Sequence, residues 1–125
     1  SQYRSAAYAQ MSQIALLEKK FAEALHYANQ AQLYNTQNIT AICYNYFALK
    51  ALNKKEEAQK ALLEIKTIDP LHHLPSFEAY LENEITAEQL LNYHRSEFPY
   101  QTFLELALRD WMFSRELSDG AEHNG

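Results

Sequence analysis

The chain has 125 residues and a net charge of −5, which suits one domain and weighs against a nucleic-acid partner, whose backbone calls for a basic face. Two glycines, both near the C-terminus, and three prolines are too few turn residues for a sheet built from hairpins. Ala, Leu, Glu, Gln and Lys favour helix, so the predicted fold class is all-α. A length of 125 residues is enough to bury roughly 65–70% of the unfolded chain's surface.

Helices are predicted near residues 5–18, 21–34, 40–52 and 55–68. Asn38 or Thr40 is the expected cap of the third, and Asn53 or Lys54 leads into the fourth. In the fourth, Ala58, Leu62 and Ile65 recur at spacings of four and three, with Ala61 and Ile68 beside them, which is the apolar stripe of a helix. Pro70 ends that run because it has no N–H to donate and its ring clashes with the preceding turn. Pro75 suits the first turn of a helix reaching about Leu81. Thr86-Ala87-Glu88-Gln89 has the capping-box pattern and opens a helix to about Arg95. Pro99 opens a last helix to about Phe113, striped by Phe103, Leu106, Ala107 and Trp111. That makes about seven helices, with residues 118–125 as a polar, flexible tail.

An internal period runs through the first four helices. The interval from Ala24 to Ala58 also separates Ala28 from Leu62, Ala31 from Ile65, Ser12 from Tyr46 and Ala15 from Leu49. It equals the length of one tetratricopeptide unit, about 34 residues folded as a helix–turn–helix pair. Small residues at Ala24 and Ala58 allow two helices to approach closely, and Phe21 fills the space beside them. The chain resembles the tetratricopeptide repeat family in these residues. Repeat 1 (5–38) carries Tyr8, Met11-Ser12, Ala15, Phe21, Ala24-x3-Ala28 and Ala31, with Thr36 where the family has Pro. Repeat 2 (39–72) carries Ile42, Asn45-Tyr46, Leu49, Ala58-x3-Leu62, Ile65 and Asp69-Pro70. The resemblance implies antiparallel hairpins stacked as a short right-handed solenoid over residues 1–117, with a shortened unit at 73–98 and a partial repeat at 99–117.

No catalytic set emerges, so the chain is expected not to be an enzyme and to need no cofactor or metal. Glycine-rich phosphate loops are absent, and no two of His26, His72, His73, His94 and His123 stand four apart on one helix face. Cys43, between Ile42 and Tyr44, has no neighbour that would lower its pKa and is expected as a packed thiol. Glu78, Glu82 and Glu84 are expected to form a solvated face. Tyr8, Phe21, Tyr46, Phe77, Phe103 and Trp111 are expected in the core, leaving Tyr44 and Phe47 as exposed anchors.

In tetratricopeptide proteins the first helix of each pair lines a concave, ligand-binding face. The resemblance therefore implies a peptide groove of Ala9, Gln13, Leu16 and Leu17 from repeat 1, with Thr40, Cys43, Tyr44, Phe47, Lys50 and Ala51 from repeat 2. Such a face is apolar to mildly polar with one cation, and suits an amphipathic helix or an extended peptide. The family's carboxylate clamp for chaperone tails is missing, since Ala9, Gln13 and Tyr44 stand at its first- and second-repeat positions and the third unit offers no Lys. The implied function is a protein-interaction scaffold with a protein or peptide partner.

The alternative is a structural spacer or self-association module. Residues 1–68 carry eight Lys/Arg against five Glu, and residues 69–125 carry three Arg against eleven Asp/Glu. This gradient is either chance surface charge or an electrostatic polarity that orients a partner or a second copy. The segments 69–73 and 97–106 also resemble the repeats of bacterial proteins of unknown function in which a mutarotase-like β domain precedes the helices. That likeness implies a carbohydrate-related parent of which this chain is an excised piece. No basic leader followed by an apolar core is visible, and no apolar run approaches the ~18 residues of a membrane span. The compartment stays open, with the cytoplasm slightly favoured.

Overall fold

The computed structural model describes residues 1–90 and 92, and within them every regular element is a helix. Five helices follow in chain order: α1 (Gln2–Leu17), α2 (Phe21–Tyr34), α3 (Ile39–Ala51), α4 (Lys55–Ile68) and α5 (His73–Leu81). Helical backbone resumes at residues 87–90 and at 92. The helix expected at 99–113, the partial repeat at 99–117 and the tail at 118–125 lie outside the described residues.

Local chemistry explains the boundaries. The Ser1 hydroxyl accepts the Arg4 N–H at 3.3 Å, so α1 begins at Gln2, earlier than the sequence pattern suggests. The Asn38 side chain accepts the Ala41 N–H at 3.1 Å and caps α3. Thr86 and Gln89 satisfy each other reciprocally: the Thr86 N–H donates to Gln89 Oε1 at 2.8 Å, and the Gln89 N–H donates to Thr86 Oγ1 at 3.1 Å. This is the capping box expected at that position.

The connections recur with the period of the sequence. α1 ends with Lys19 at φ 61°, the Lys20 N–H on the Ala15 carbonyl at 2.8 Å and the Lys19 N–H on the Leu16 carbonyl at 3.0 Å. α3 ends in the same way one period later, with Asn53 at φ 61°, Lys54 on Leu49 at 2.8 Å and Asn53 on Lys50 at 3.0 Å. Both are Schellman motifs, which close the last free carbonyls of a helix through one left-handed residue. The motif appears a third time at Asn83, short of a full period, so α5 is the shortened element.

The other connection repeats as well. Asn35 and Asp69 stand in extended conformation after α2 and α4. The side chain of each accepts a backbone N–H two positions on, from Gln37 at 3.0 Å and from Leu71 at 3.1 Å. Asn38 and His72 then cap the next helix, each accepting within its first turn.

Each helix packs on the next in sequence, and α1 also touches α3. The first pair is antiparallel. Ser5 Oγ donates to the Ala31 carbonyl and Ser12 Oγ to the Ala24 carbonyl, both at 2.7 Å, so a step forward on α1 corresponds to an equal step backward on α2. Both hydroxyls are buried, and the carbonyls they meet make that burial tolerable. One apolar core runs through all five helices, with Leu16, Ile42, Ile65 and Leu74 fully buried. Each of these contributes about 1.5–3 kcal/mol. A smaller cluster of Ala9, Ala31 and Ala41 joins the first pair to α3.

Candidate interaction surface

Transferring the family's groove positions onto this chain places them in three different settings. Gln13, Leu17 and Thr40 are exposed. Cys43, Tyr44, Lys50 and Ala51 are half-buried. Leu16 is fully buried and Phe47 is only 3% exposed, and both belong to the main core. Ala9 lies in the small alanine cluster. Phe47 is therefore a core residue rather than the exposed anchor expected. The reason is local: Tyr46, Phe47, Ala48 and Leu49 are consecutive and all buried, so α3 is covered nearly all round rather than on one stripe.

The single cation of the groove is engaged from α5. Lys50 Nζ lies 2.6 Å from Glu78 Oε2 and 3.2 Å from Glu82 Oε1. The Tyr46 hydroxyl donates to the same Glu78 oxygen at 2.6 Å. The ammonium also sits 5.7 Å from the centre of the Tyr46 ring, within cation–π range. Glu78 is 2% exposed, which corrects the expectation that Glu78, Glu82 and Glu84 form one solvated face. Glu82 and Glu84 are exposed as expected.

The electrostatics follow from this geometry. Burial, and then the Glu78 carboxylate, hold the Tyr46 proton well above the ordinary phenol range. Burial works against the Lys50 ammonium, but Glu78 and Glu82 outweigh it and its pKa rises above the usual 10.5. The sequence carried a signal for this arrangement. Tyr46 and Lys50 are four apart on α3, and Glu78 and Glu82, the residue that caps the end of α5, are also four apart, so each pair shares one side.

Two clefts open beside these elements. One, of about 190 Å³, lies between α4 and α5 and is bordered by Leu62, Lys66, Pro75 and Glu78. The other, of about 260 Å³, is lined by Leu25, Asn29, Asn45 and Lys60 across α2, α3 and α4. Both fall below the roughly 300–1,000 Å³ typical of small-molecule sites, so neither is the kind of concavity that encloses a cofactor. Among the described residues no group of three or more His, Cys, Asp and Glu is placed to hold a metal ion, and no helix is long and apolar enough to cross a membrane.

No protein-family model, curated protein or solved structure matches the chain.

Proposed function

We propose that the chain is a helical-repeat scaffold of the tetratricopeptide kind, a short right-handed solenoid that binds a protein or peptide. The observation that carries this reading is the recurrence of both connection types at one period: the left-handed turns at Lys19 and Asn53, and the side-chain-closed turns at Asn35 and Asp69. Repetition of turn chemistry, and not only of apolar spacing, marks each helix pair as one unit of an array.

The ligand surface is narrower than family transfer implies. With Leu16 and Phe47 in the core, the outward positions are Gln13, Leu17 and Thr40, flanked by half-buried Cys43, Tyr44 and Ala51. Because Lys50 is neutralised by Glu78 and Glu82, nothing at this place would hold a ligand carboxylate. The reading favours an uncharged or amphipathic helix over an acidic peptide tail.

Selection from a random peptide display library, followed by fluorescence titration of the winners, tests it. Selected peptides should bind at micromolar strength, and Gln13→Arg or Thr40→Glu should weaken them at least tenfold while Gln10→Arg does not. Recovery of no peptide above background, or equal binding by all three variants, would sink the groove. A role as a spacer or self-association module in a carbohydrate-related protein remains the second reading. It is favoured by the apolar residues that α1 leaves exposed, Tyr3, Met11, Ile14 and Leu17.

A further inference from the structure

Of the helices α1–α5, α1, α3 and α5 open on a side-chain cap, while α2 and α4 do not. At α1 the cap is the Ser1 hydroxyl, and at α3 it is the Asn38 amide. Neither group titrates near neutrality. One period after Asn38 stands His72, whose Nδ1 accepts the Leu74 N–H at 3.2 Å. The same place in the turn is thus filled once by an amide and once by an imidazole.

That exchange has a chemical consequence. An imidazole accepts only on an unprotonated nitrogen, so the bond from Leu74 requires Nδ1 to be bare and the ring neutral. A proton on Nδ1 sets two donors against each other and leaves the Leu74 N–H without this acceptor. It also places a cation at a helix N-terminus, where the peptide dipoles favour negative charge. The His73 ring stacks on His72 with 4.5 Å between centroids and 18° between planes, so a charge on one ring opposes a charge on the other.

The charged groups of the elements that meet here do not supply a substitute cap. In the connection, Asp69 Oδ1 is taken by the Leu71 N–H at 3.1 Å. In the last turn of α4 the charged residue is Lys66, a second cation. On α3 the only charged residue is Lys50, which is engaged by Glu78, and the titratable Cys43, Tyr44 and Tyr46 are of types that ordinarily ionise above pH 8.

We infer that His72 is an acid-sensitive latch: protonation of Nδ1 removes the cap of α5 and releases that helix, while α1–α4 stay folded. The inference rests on this connection and stands apart from the peptide-binding reading. A cap that requires the neutral ring binds protons less readily when α5 is docked than when it is released. Its contribution is therefore complete above the ordinary imidazole value of about 6.5 and is lost as pH falls below it. Helix α5 is where one lost cap counts most. It has nine residues, too few to persist alone, and is held by fully buried Leu74 and by the Glu78 carboxylate, which takes Tyr46 and Lys50 at 2.6 Å each. Release uncovers Leu74 and returns Lys50 to solvent, so acid exposes an apolar site and a cation that are covered at neutral pH.

Hydrogen exchange of the full chain, followed by mass spectrometry at about pH 7.5 and about pH 5.5 with each rate divided by the intrinsic rate at that pH, tests the latch. Protection of α5 should fall about fivefold or more on acidification, as loss of a cap implies, and that of α1 and α2 by less than about twofold. His72→Asn installs the residue that caps α3 and should hold the protection of α5 constant within about twofold. His72→Asp should do the same, since its carboxylate is ionised at both pH values. His73→Gln should keep most of the fall. A parent chain in which α5 changes less than about twofold, or a fall that survives in either His72 variant, overturns the inference. So does a fall shared equally by all five helices, which would be global acid unfolding.

Discussion

Removing the amino group of Lys50 while keeping its length, by Lys50→Met, leaves the Glu78 carboxylate at 2% exposure without the cation 2.6 Å away. Stripping one partner from a fully buried ion pair costs about 3–5 kcal/mol. The Lys50 side chain keeps 28% of its surface in water and also reaches exposed Glu82, a contact worth at most about 1 kcal/mol, so the full figure does not apply. The Tyr46 hydroxyl still donates to Glu78 and limits the loss further. The expected cost is about 2–3 kcal/mol, read from urea unfolding followed by circular dichroism, or about 3–5 °C of midpoint per kcal/mol. The triple variant Lys50→Met, Glu78→Leu, Tyr46→Phe should return to within about 1 kcal/mol of the parent, because an apolar set of similar volume leaves neither a buried charge nor an unpaired phenol hydroxyl. A loss below about 0.5 kcal/mol for Lys50→Met would refute the reasoning: Lys50 would then behave as an ordinary surface charge, and α5 would be held by its apolar contacts alone.

Three further outcomes follow from the same geometry. Both Tyr46 and Lys50 have folded pKa values above their ordinary 10.0 and 10.5, so each contributes stability that is complete below those values and is lost as pH rises through the folded ones. Unfolding free energy should be flat from neutrality to about pH 9.5 and fall above about pH 10, less steeply in Tyr46→Phe; equal slopes in the two proteins would exclude Tyr46 as a source. Lys19→Gly should stabilise the chain by about 0.5–1 kcal/mol in denaturant titration because a Cβ is disfavoured at φ 61°, and Asn53→Gly should gain less because Asn tolerates that region. Ser12→Val should cost about 2–3 kcal/mol, measured by thermal unfolding, by losing the 2.7 Å bond to the Ala24 carbonyl and forcing bulk between α1 and α2.

The parts of this fold that were legible in the sequence are those decided by near neighbours. Four helices and their breaks, the close approach at Ala24 and Ala58, the Asn38 cap and the Thr86–Gln89 box all depend on residues within a few positions of one another. What escaped depends on the partner element. Glu78 sits in a run rich in carboxylates, and only the arrival of α3 beside α5 turns it inward toward Tyr46 and Lys50. Phe47 looks like a groove residue when family positions are transferred, because the transfer assumes an open concave side. In this chain α3 is covered nearly all round. Ser5 and Ser12 are polar, yet they are buried because backbone carbonyls of α2 come within 2.7 Å. No local pattern announces a carbonyl on another helix.

The connections that close their own polar groups also bear on how the chain acquires its structure. Each turn is completed by bonds between near neighbours in sequence, and the hydrogen bond from Asn38 to Ser5, one of the more distant side-chain contacts among the described residues, spans only 33 positions. Short sequence separations of this kind lower the loop-closure entropy that must be lost before contacts form, which favours fast folding of the described helices. The first two hairpins can nucleate separately, since each holds its own turn and apolar stripe. Helix α5 is different. It is short, and the Tyr46 and Lys50 bonds that tie it to α3 cannot form until α3 is in place. It should therefore be the last of the five to join and the first to open.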